Sequence, residues 1–191
     1  MTTAHTRRPL SGEPLGLDLL NTQWMEQGAP VDLLTDLAGT QQWLTEAAAT
    51  GTRLVEPGEP VTEPVRLALR TARDAIRVHL HDPASESACA ALNEVLAWGH
   101  SWPTVAPDGP AEASAWDAPQ HRAGWLAAVN YVALLREDAS RIRHCAHPDC
   151  VLYFYDTSPK RSRRWCSMAA CGNRAKAARH YARARAGHAP G

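Results

Sequence analysis

The sequence predicts a mainly α-helical protein in two parts. A helical N-terminal domain is expected over residues 1–138, and a small unit made of a β-hairpin and a C-terminal helix over residues 139–186. Three observations lead to this prediction. Apolar residues recur at helical spacing through the first part. The balance of charge changes sign near residue 138, and four of the five cysteines follow that point. Residues 187–191 are expected to form a flexible tail.

The composition is that of a globular chain. Hydrophobic residues make up 45% of the 191 residues and seven residues are tryptophan, which is more apolar surface than a disordered chain carries. The first residues show no apolar segment typical of a secretory signal. No apolar stretch approaches the roughly 18 residues that a membrane span requires. We therefore expect a cytoplasmic protein with no membrane partner.

Hydrophobic periodicity predicts four long helices in the first part, over residues 36–49, 63–80, 84–98 and 121–137. A Pro- and Gly-rich stretch before the last helix predicts a long loop with a short hairpin around residues 107–110. Four arginines follow one face of the second helix, where we expect pairing with surface carboxylates or solvation. They are Arg66, Arg70, Arg73 and Arg77.

The net charge of zero conceals two opposite regions. Residues 1–138 contain 9 Lys and Arg against 18 Asp and Glu, whereas residues 139–191 contain 11 Lys and Arg against 2 Asp and Glu. A basic segment attached to an acidic body is typical of proteins that bind nucleic acid. A solvated basic tail is the alternative that charge alone leaves open.

Four cysteines form two close pairs in the basic part, with the spacing Cys145-x4-Cys150-x15-Cys166-x4-Cys171. Two close pairs joined by a longer loop can supply the four soft ligands of a tetrahedral zinc ion with little loss of chain entropy. A bound metal would also stabilise a segment that has too few apolar residues for its own core. Between the pairs, the residues predict a strand over 151–155, a turn over 156–159 and a return strand, as in a treble-clef-like finger.

This spacing leaves alternatives open. Two disulfides fit it, although a reducing compartment disfavours them. His144 or His147 could replace one cysteine as a ligand. A catalytic zinc is disfavoured because four thiolates leave no coordination position for water. Cys89 lies far from both pairs in the sequence and is expected to be a small buried helix residue.

A basic, alanine-rich segment follows the second cysteine pair and predicts a helix over residues 173–186. Helical spacing places Lys176, Arg179 and Arg183 on one face, where they could contact DNA. A second cationic group lies in the predicted turn, and its members are Lys160, Arg161, Arg163 and Arg164. These two groups are the candidate nucleic-acid-binding residues.

The segment WCSMAACGNRAKAARHYARAR resembles the CGNR zinc-finger family, and the preceding CAHPDCVLYFYDTSPKRSRRWCSM resembles the first half of the same finger. The resemblance implies a bacterial, stress-linked transcription regulator. It also implies a Zn²⁺ site formed by Cys145, Cys150, Cys166 and Cys171. Within the name motif we expect Gly172, Asn173 and Arg174 to act structurally, with Arg174 bracing the finger.

Further upstream, GLDLLNT resembles the signature of the ABATE domain that precedes this finger in the family. The signature residues are Asp18, Asn21 and Thr22. We favour a structural interpretation, in which they form a cap or turn held by bonds between side chains and backbone. The alternative is a pocket for a small-molecule ligand, which would make the domain a sensor. A homodimer formed by this domain is also compatible with the sequence.

The sequence therefore predicts a regulator, not an enzyme, whose zinc finger binds double-stranded DNA. Three alternatives are carried forward. RNA binding would use Tyr153, Phe154 and Tyr155 to stack on unpaired bases. A protein-interaction finger would bind nucleic acid weakly. A nuclease is disfavoured because the finger has only two carboxylates, Asp149 and Asp156.

Overall fold

The computed structural model describes residues 7–49, 51, 54–56 and 58–177. Up to Asp138, the elements in chain order are α1 (Leu15–Leu20), β1 (Gln23–Glu26), β2 (Ala29–Asp32), α2 (Leu37–Ala48), α3 (Glu63–His81), α4 (Glu86–Leu96), β3 (Gly99–Ala106), β4 (Gly109–Trp116) and α5 (Arg122–Asp138). We call this region the N-terminal part. The remaining described residues form the finger, with β5 (Ile142–His144), β6 (Tyr153–Tyr155) and a π-helical turn (Met168–Gly172) that continues as helix over 173–177. The predicted class, a helical N-terminal region followed by a small unit with a β-hairpin and a helix, is confirmed.

The helices begin where side chains satisfy their free amides. Asp36 caps α2 and accepts a hydrogen bond from the Gly39 amide at 2.8 Å, while Ser85 caps α4 and accepts from the Ala88 amide at 3.3 Å. Each cap provides an acceptor for one of the first amides of its helix, which have no partner within the helix. These caps explain why both helices begin one or two residues later than the periodicity predicts.

Helix α3 is the centre of the N-terminal part, and α1, α4 and α5 all pack against it. Its buried apolar stripe includes Val65, Leu69 and Ile76. Helix α1 also lies directly on α5, where Gly16 makes the close approach: a Cβ atom at this position would lie 2.7 Å from the Tyr131 Cβ. A side chain at residue 16 would therefore force the two helices apart.

Two of the four arginines of α3 are buried and the other two are partly exposed, where a surface stripe was expected. Arg73 is 1% exposed, and Arg66 is also buried. The Arg66 guanidinium donates to the Leu34 carbonyl, and Arg77 donates to the Leu20 carbonyl at the end of α1. The expected pairing with carboxylates is present, since Arg66 pairs with Glu63 and Arg73 pairs with Asp32. The burial was not expected; it is possible because a guanidinium can bind backbone carbonyls of neighbouring segments while buried.

Residues 99–116 form a long hairpin where a loop with a short hairpin was expected. Strands β3 and β4 pair in register from Gly99 with Trp116 to Ala106 with Gly109. Gly109 has φ of +127°, a conformation that other residues rarely adopt, so a two-residue turn can close the ladder. Pro and Gly therefore mark the turn of a hairpin of eight-residue strands.

The finger's hairpin also differs in detail from the prediction. Strand β6 pairs with β5, which precedes the first cysteine pair, and Ile142 lies opposite Tyr155. The predicted return strand after residue 159 is absent from the described structure. The Asp156 carboxylate instead accepts hydrogen bonds from the amides of Ser158 and Arg163, at 2.9 and 3.0 Å, and folds this segment into a compact loop.

Candidate metal centre and basic surface

The four paired cysteines meet at one point of the finger. Their sulfur atoms all lie within 4.8 Å of one another, and each residue is at most 5% exposed. The first pair lies on the connection between β5 and β6, and the second pair precedes and enters the π-helical turn. All four are free thiols. The residues are Cys145, Cys150, Cys166 and Cys171.

The ionisation of these thiols is coupled through their contacts. A hydrogen bond from Cys166 lowers the pKa of the Cys150 thiol to about 5. The same contact with Cys150 raises the pKa of Cys166 above its ordinary value, and burial raises the pKa of Cys171 to about 11. Without a cation, the cluster therefore favours one thiolate beside protonated neighbours. A divalent metal would allow all four sulfurs to ionise, and four buried thiolates are the ligand set that structural zinc sites use.

Two N–H groups already point at the sulfurs. The Cys166 amide donates to the Cys145 sulfur at 3.3 Å, and the Arg174 guanidinium donates to the Cys171 sulfur at 3.1 Å. The bond to Cys171 raises the pKa of Arg174 above its ordinary value. These contacts agree with the expectation that Arg174 braces the finger, since donors of this kind orient metal ligands.

The two other residues of the name motif have different environments. The Gly172 amide donates to the Ser167 carbonyl at 3.0 Å and closes the π-helical turn. A Cβ atom at Gly172 would lie 2.6 Å from the Met168 sulfur, so this glycine lets the Met168 side chain lie over the backbone. Asn173 is exposed at the start of the following helical segment.

The two histidines that could replace a cysteine ligand contact other residues. The His144 ring packs edge-on against Tyr153, with centroids 5.0 Å apart, and His147 is 3.9 Å from Asp149. Within the described residues, the group that could hold a metal consists of the four cysteines. Cys89 is partly exposed on α4 and is not part of this group.

The finger is attached to the N-terminal part by polar side chains that follow or precede α1. The Asn21 amide makes two hydrogen bonds to the backbone of Tyr153, at 2.8 and 2.9 Å. The Glu13 carboxylate accepts from the Tyr155 amide at 3.0 Å and from Arg163 at 2.8 Å. Residues of both parts also belong to one buried apolar cluster. Strand β6 of the finger is therefore held on the N-terminal part by specific bonds.

The two other signature residues are bonded within the N-terminal part. The Asp18 carboxylate accepts from Arg8 at 2.8 Å and from the Trp43 indole at 2.9 Å. The Thr22 hydroxyl donates to the Leu19 carbonyl at 2.7 Å and accepts from Arg73 at 3.0 Å. All these atoms are buried. The bond of Thr22 to the Leu19 carbonyl is a local bond of the kind that the structural interpretation expects, whereas the other three bonds join separate segments of the chain.

The aromatic residues of β6 lie inside the protein. Tyr153, Phe154 and Tyr155 are 7%, 0% and 5% exposed. The Phe154 ring is covered by the Arg163 guanidinium, 4.2 Å from its centroid. These side chains cannot stack on unpaired bases in this fold, so the specific argument for RNA binding is removed. Asp156 is likewise 0% exposed, which leaves it unavailable to a nuclease site.

The basic candidates fall into three groups. Lys160, Arg164 and Lys176 are exposed. Arg161 is 2.8 Å from Asp138 and half-exposed. Arg163 is turned inward: besides Glu13, it donates to the carbonyls of Trp165 and Cys166. The contacts of Arg163 are therefore structural, unlike its predicted role in binding nucleic acid. Arg179 and Arg183 lie outside the described residues.

Sequence reasoning missed the residues that join the two parts. Glu13 and Trp24 carry no local pattern that distinguishes them from other residues of an acidic helical domain. Their contacts with the finger bridge more than a hundred residues; the bond from Arg163 to Glu13, for example, has a separation of 150. The signature itself was the available signal, because Asn21 makes the central bond between the parts.

Comparison with known families agrees with this geometry. The profile of the ABATE family, described as "putative stress-induced transcription regulator", matches residues 13–138, and that of the CGNR zinc finger matches residues 141–184. The first match covers more than half of the chain, so this protein belongs to the ABATE family and carries a CGNR zinc finger after it. No curated protein matches the chain. Across the described residues, no helix has both the length and the apolar character needed to cross a membrane.

Proposed function

We propose that the protein is a zinc-dependent, DNA-binding transcription regulator. The observation that carries this proposal is the buried cluster of four free thiols, with their sulfurs within 4.8 Å of one another, in a unit rich in exposed cations. Family membership supports a regulatory role. Four thiolates would fill the coordination shell of zinc, which favours a structural metal over a catalytic one. The proposed ligands are Cys145, Cys150, Cys166 and Cys171.

Zinc would crosslink the connection between β5 and β6 to the start of the C-terminal helix, and so fix two cationic segments relative to each other. The loop after β6 presents Lys160 and Arg164, and the helix presents Lys176. Arg179 and Arg183 continue the same predicted face. Such cations contact phosphates more often than base edges, and phosphate contacts give affinity that depends strongly on salt.

The N-terminal part would regulate this binding. Because Asn21 and Glu13 hold β6 directly, a change in the packing around α1 would alter the support of the finger. A small-molecule ligand or dimer formation could act through this route. We place the boundary between the parts at residues 138–139, with the finger extending to residue 186.

Two measurements test the proposal together. Purified protein should contain about one zinc per chain by elemental analysis, and substitution of any of the four clustered cysteines by Ser should abolish it. The matched control is Cys89→Ser, which should retain full zinc. Selection from random duplex DNA should then enrich a defined site with zinc-loaded protein only. Full zinc in the Cys166→Ser, Cys171→Ser double variant, or preference for single-stranded RNA over duplex DNA in competition, would contradict it.

A further inference from the structure

One tryptophan of the N-terminal part lies beside the cysteine cluster with an unused donor. Trp24, on β1, is 2% exposed. Its indole Nε1 is buried and has no hydrogen-bond partner among the described residues. A buried N–H without an acceptor costs about 1–3 kcal/mol, so an uncompensated group of this kind is rare and calls for a physical reason.

The surroundings of Trp24 indicate the acceptor. Trp24 lines a small recess together with Cys150, Cys166, Cys171 and Arg174. Arg174 already donates to the Cys171 sulfur. The residue with the unpaired N–H and three of the four cysteines of the proposed metal site therefore line one recess.

The charge of that site makes a further donor favourable. Zinc with four thiolates carries two net negative charges, here in a position where every ligand is at most 5% exposed. Cys171 receives the Arg174 guanidinium, and Cys145 receives the Cys166 amide. Within the described residues, the bonds of the Cys166 sulfur are to the sulfurs of Cys150 and Cys171. The Cys150 sulfur accepts a hydrogen bond from the Leu152 amide. Cys166 is thus the ligand that still requires an N–H donor.

We propose that Trp24 donates an N–H···S hydrogen bond to a zinc-bound thiolate of this recess, with Cys166 as the first candidate. This inference rests on the proposed zinc site. Trp24 is then a positioning residue for the metal centre, contributed by the N-terminal part and not by the finger. Such a donor withdraws charge from the thiolate and makes it less reactive toward electrophiles and protons.

The consequence is that the metal centre is shared between the two parts. Removal of the finger from the N-terminal part would take away one of its outer donors and leave the sulfurs more reactive. Oxidants would then reach a more nucleophilic zinc site when the two parts separate. The contact gives the N-terminal part direct control over how firmly the finger holds its metal.

The test compares two conservative variants of the full chain, each of which removes a buried indole N–H. Trp24→Phe removes the proposed donor. Trp43→Phe removes the N–H that binds Asp18, in a residue that is 0% exposed. Zinc release is followed with a coloured chelator after addition of a thiol-specific oxidant. We expect release to be at least about 10-fold faster in Trp24→Phe, the lower range for loss of an outer donor, and unchanged in Trp43→Phe.

A spectroscopic readout separates the hydrogen bond from general loosening of the fold. In cobalt-substituted protein, the sulfur-to-cobalt charge-transfer bands should shift in Trp24→Phe and remain at their wild-type position in Trp43→Phe. In cadmium-113-substituted wild-type protein, the indole proton of Trp24 should show a scalar coupling to the metal through the sulfur. This last measurement needs no variant and holds even if Trp24→Phe folds poorly.

Three outcomes would overturn the inference while leaving the zinc site in place. They are wild-type release and spectra in Trp24→Phe, equal effects in both variants, and no coupling between the Trp24 indole proton and cadmium. A wild-type chain that takes up neither zinc nor cobalt would overturn both this inference and the proposed function.

Discussion

The side-chain amide of Asn21 bonds both backbone groups of Tyr153: its Nδ2 donates to the carbonyl at 2.8 Å, and its Oδ1 accepts from the amide at 2.9 Å. The amide thus provides the two bonds that a neighbouring strand would provide to β6. Asn21 is 0% exposed and directly follows α1. One side chain therefore joins segments that are 132 residues apart.

Asn21→Ala should destabilise the whole chain, because it leaves the amide and the carbonyl of Tyr153 buried without partners. We expect the free energy of unfolding to fall by about 2–4 kcal/mol. The control is Asn93→Ala, which alters an exposed residue of α4 and should change stability by less than about 0.5 kcal/mol. Urea titrations followed by circular dichroism give both values. Equal stability of the two variants would contradict the docking role of Asn21.

Removal of the metal should lower the thermal stability of the helices of the N-terminal part. The finger contributes residues to the common apolar cluster, and it covers Asn21 and Glu13. We expect a chelator to lower the melting temperature of the full chain, measured by helical circular dichroism. A chain that ends at Asp138 should still fold and melt cooperatively, at a lower temperature that the chelator does not change. A full chain whose helices melt identically with and without metal would show that the parts are not coupled.

Acid should weaken the ion pair between Asp32 and Arg73. Partial burial raises the pKa of Asp32, but the bonds from Arg73 and Gln23 outweigh it and hold that pKa below its ordinary value. A carboxyl with a lowered folded pKa contributes stability above its unfolded pKa of about 3.9 and loses it as pH falls through the folded pKa. We therefore expect stability to decline from about pH 5 downwards.

Asp32→Asn should lower the free energy of unfolding by about 2–4 kcal/mol at pH 7, since the buried Arg73 guanidinium loses its closer and less exposed anion. It should also flatten the decline of stability at acid pH. Asp74→Asn is the matched control, because its carboxylate is 3.4 Å from the same guanidinium but 59% exposed; the loss should be below about 0.5 kcal/mol. Urea titrations from pH 3 to 7 provide the comparison. An unchanged pH profile in Asp32→Asn would refute the assignment.

The sequence allowed the helices and the cysteine cluster to be predicted, because both follow from local spacing. Periodicity in α3 and α5 and the two cysteine pairs are short-range patterns with a direct geometric meaning. The site ligands needed no knowledge of the N-terminal part. The bracing role expected of Arg174 from its place in the name motif stays a prediction, which its bond to the Cys171 sulfur supports.

What could not be predicted depends on contacts between distant segments. A return strand was expected after the turn at residues 156–159, but the Asp156 carboxylate binds the amides of Ser158 and Arg163 and folds this segment into a loop. Arg163 and Arg164 are equivalent in sequence pattern, yet it is Arg163 that bonds Glu13 of the N-terminal part. The unpaired indole N–H of Trp24 could not be predicted, because it depends on the fold that brings β1 to the same recess as three of the cysteines. Such long-range polar pairings leave no periodic trace.

The most direct test of the account uses that neighbouring pair of arginines. Fluorescence-anisotropy titrations of a selected duplex with zinc-loaded protein, at several salt concentrations, report how many cations meet phosphate. We predict that Arg164→Ala reduces the slope of log affinity against log salt by about one unit, with zinc content unchanged. The same reduction is expected for each other cation that contacts phosphate, and the variants to compare are Lys160→Ala, Lys176→Ala, Arg179→Ala and Arg183→Ala. Arg163→Ala should keep the wild-type slope, because its guanidinium is already bonded to Glu13 and to the carbonyls of Trp165 and Cys166. Absence of duplex binding by the zinc-loaded wild type, or a wild-type slope in Arg164→Ala, Lys160→Ala and Lys176→Ala alike, would contradict the claim that this finger binds DNA through its exposed cations.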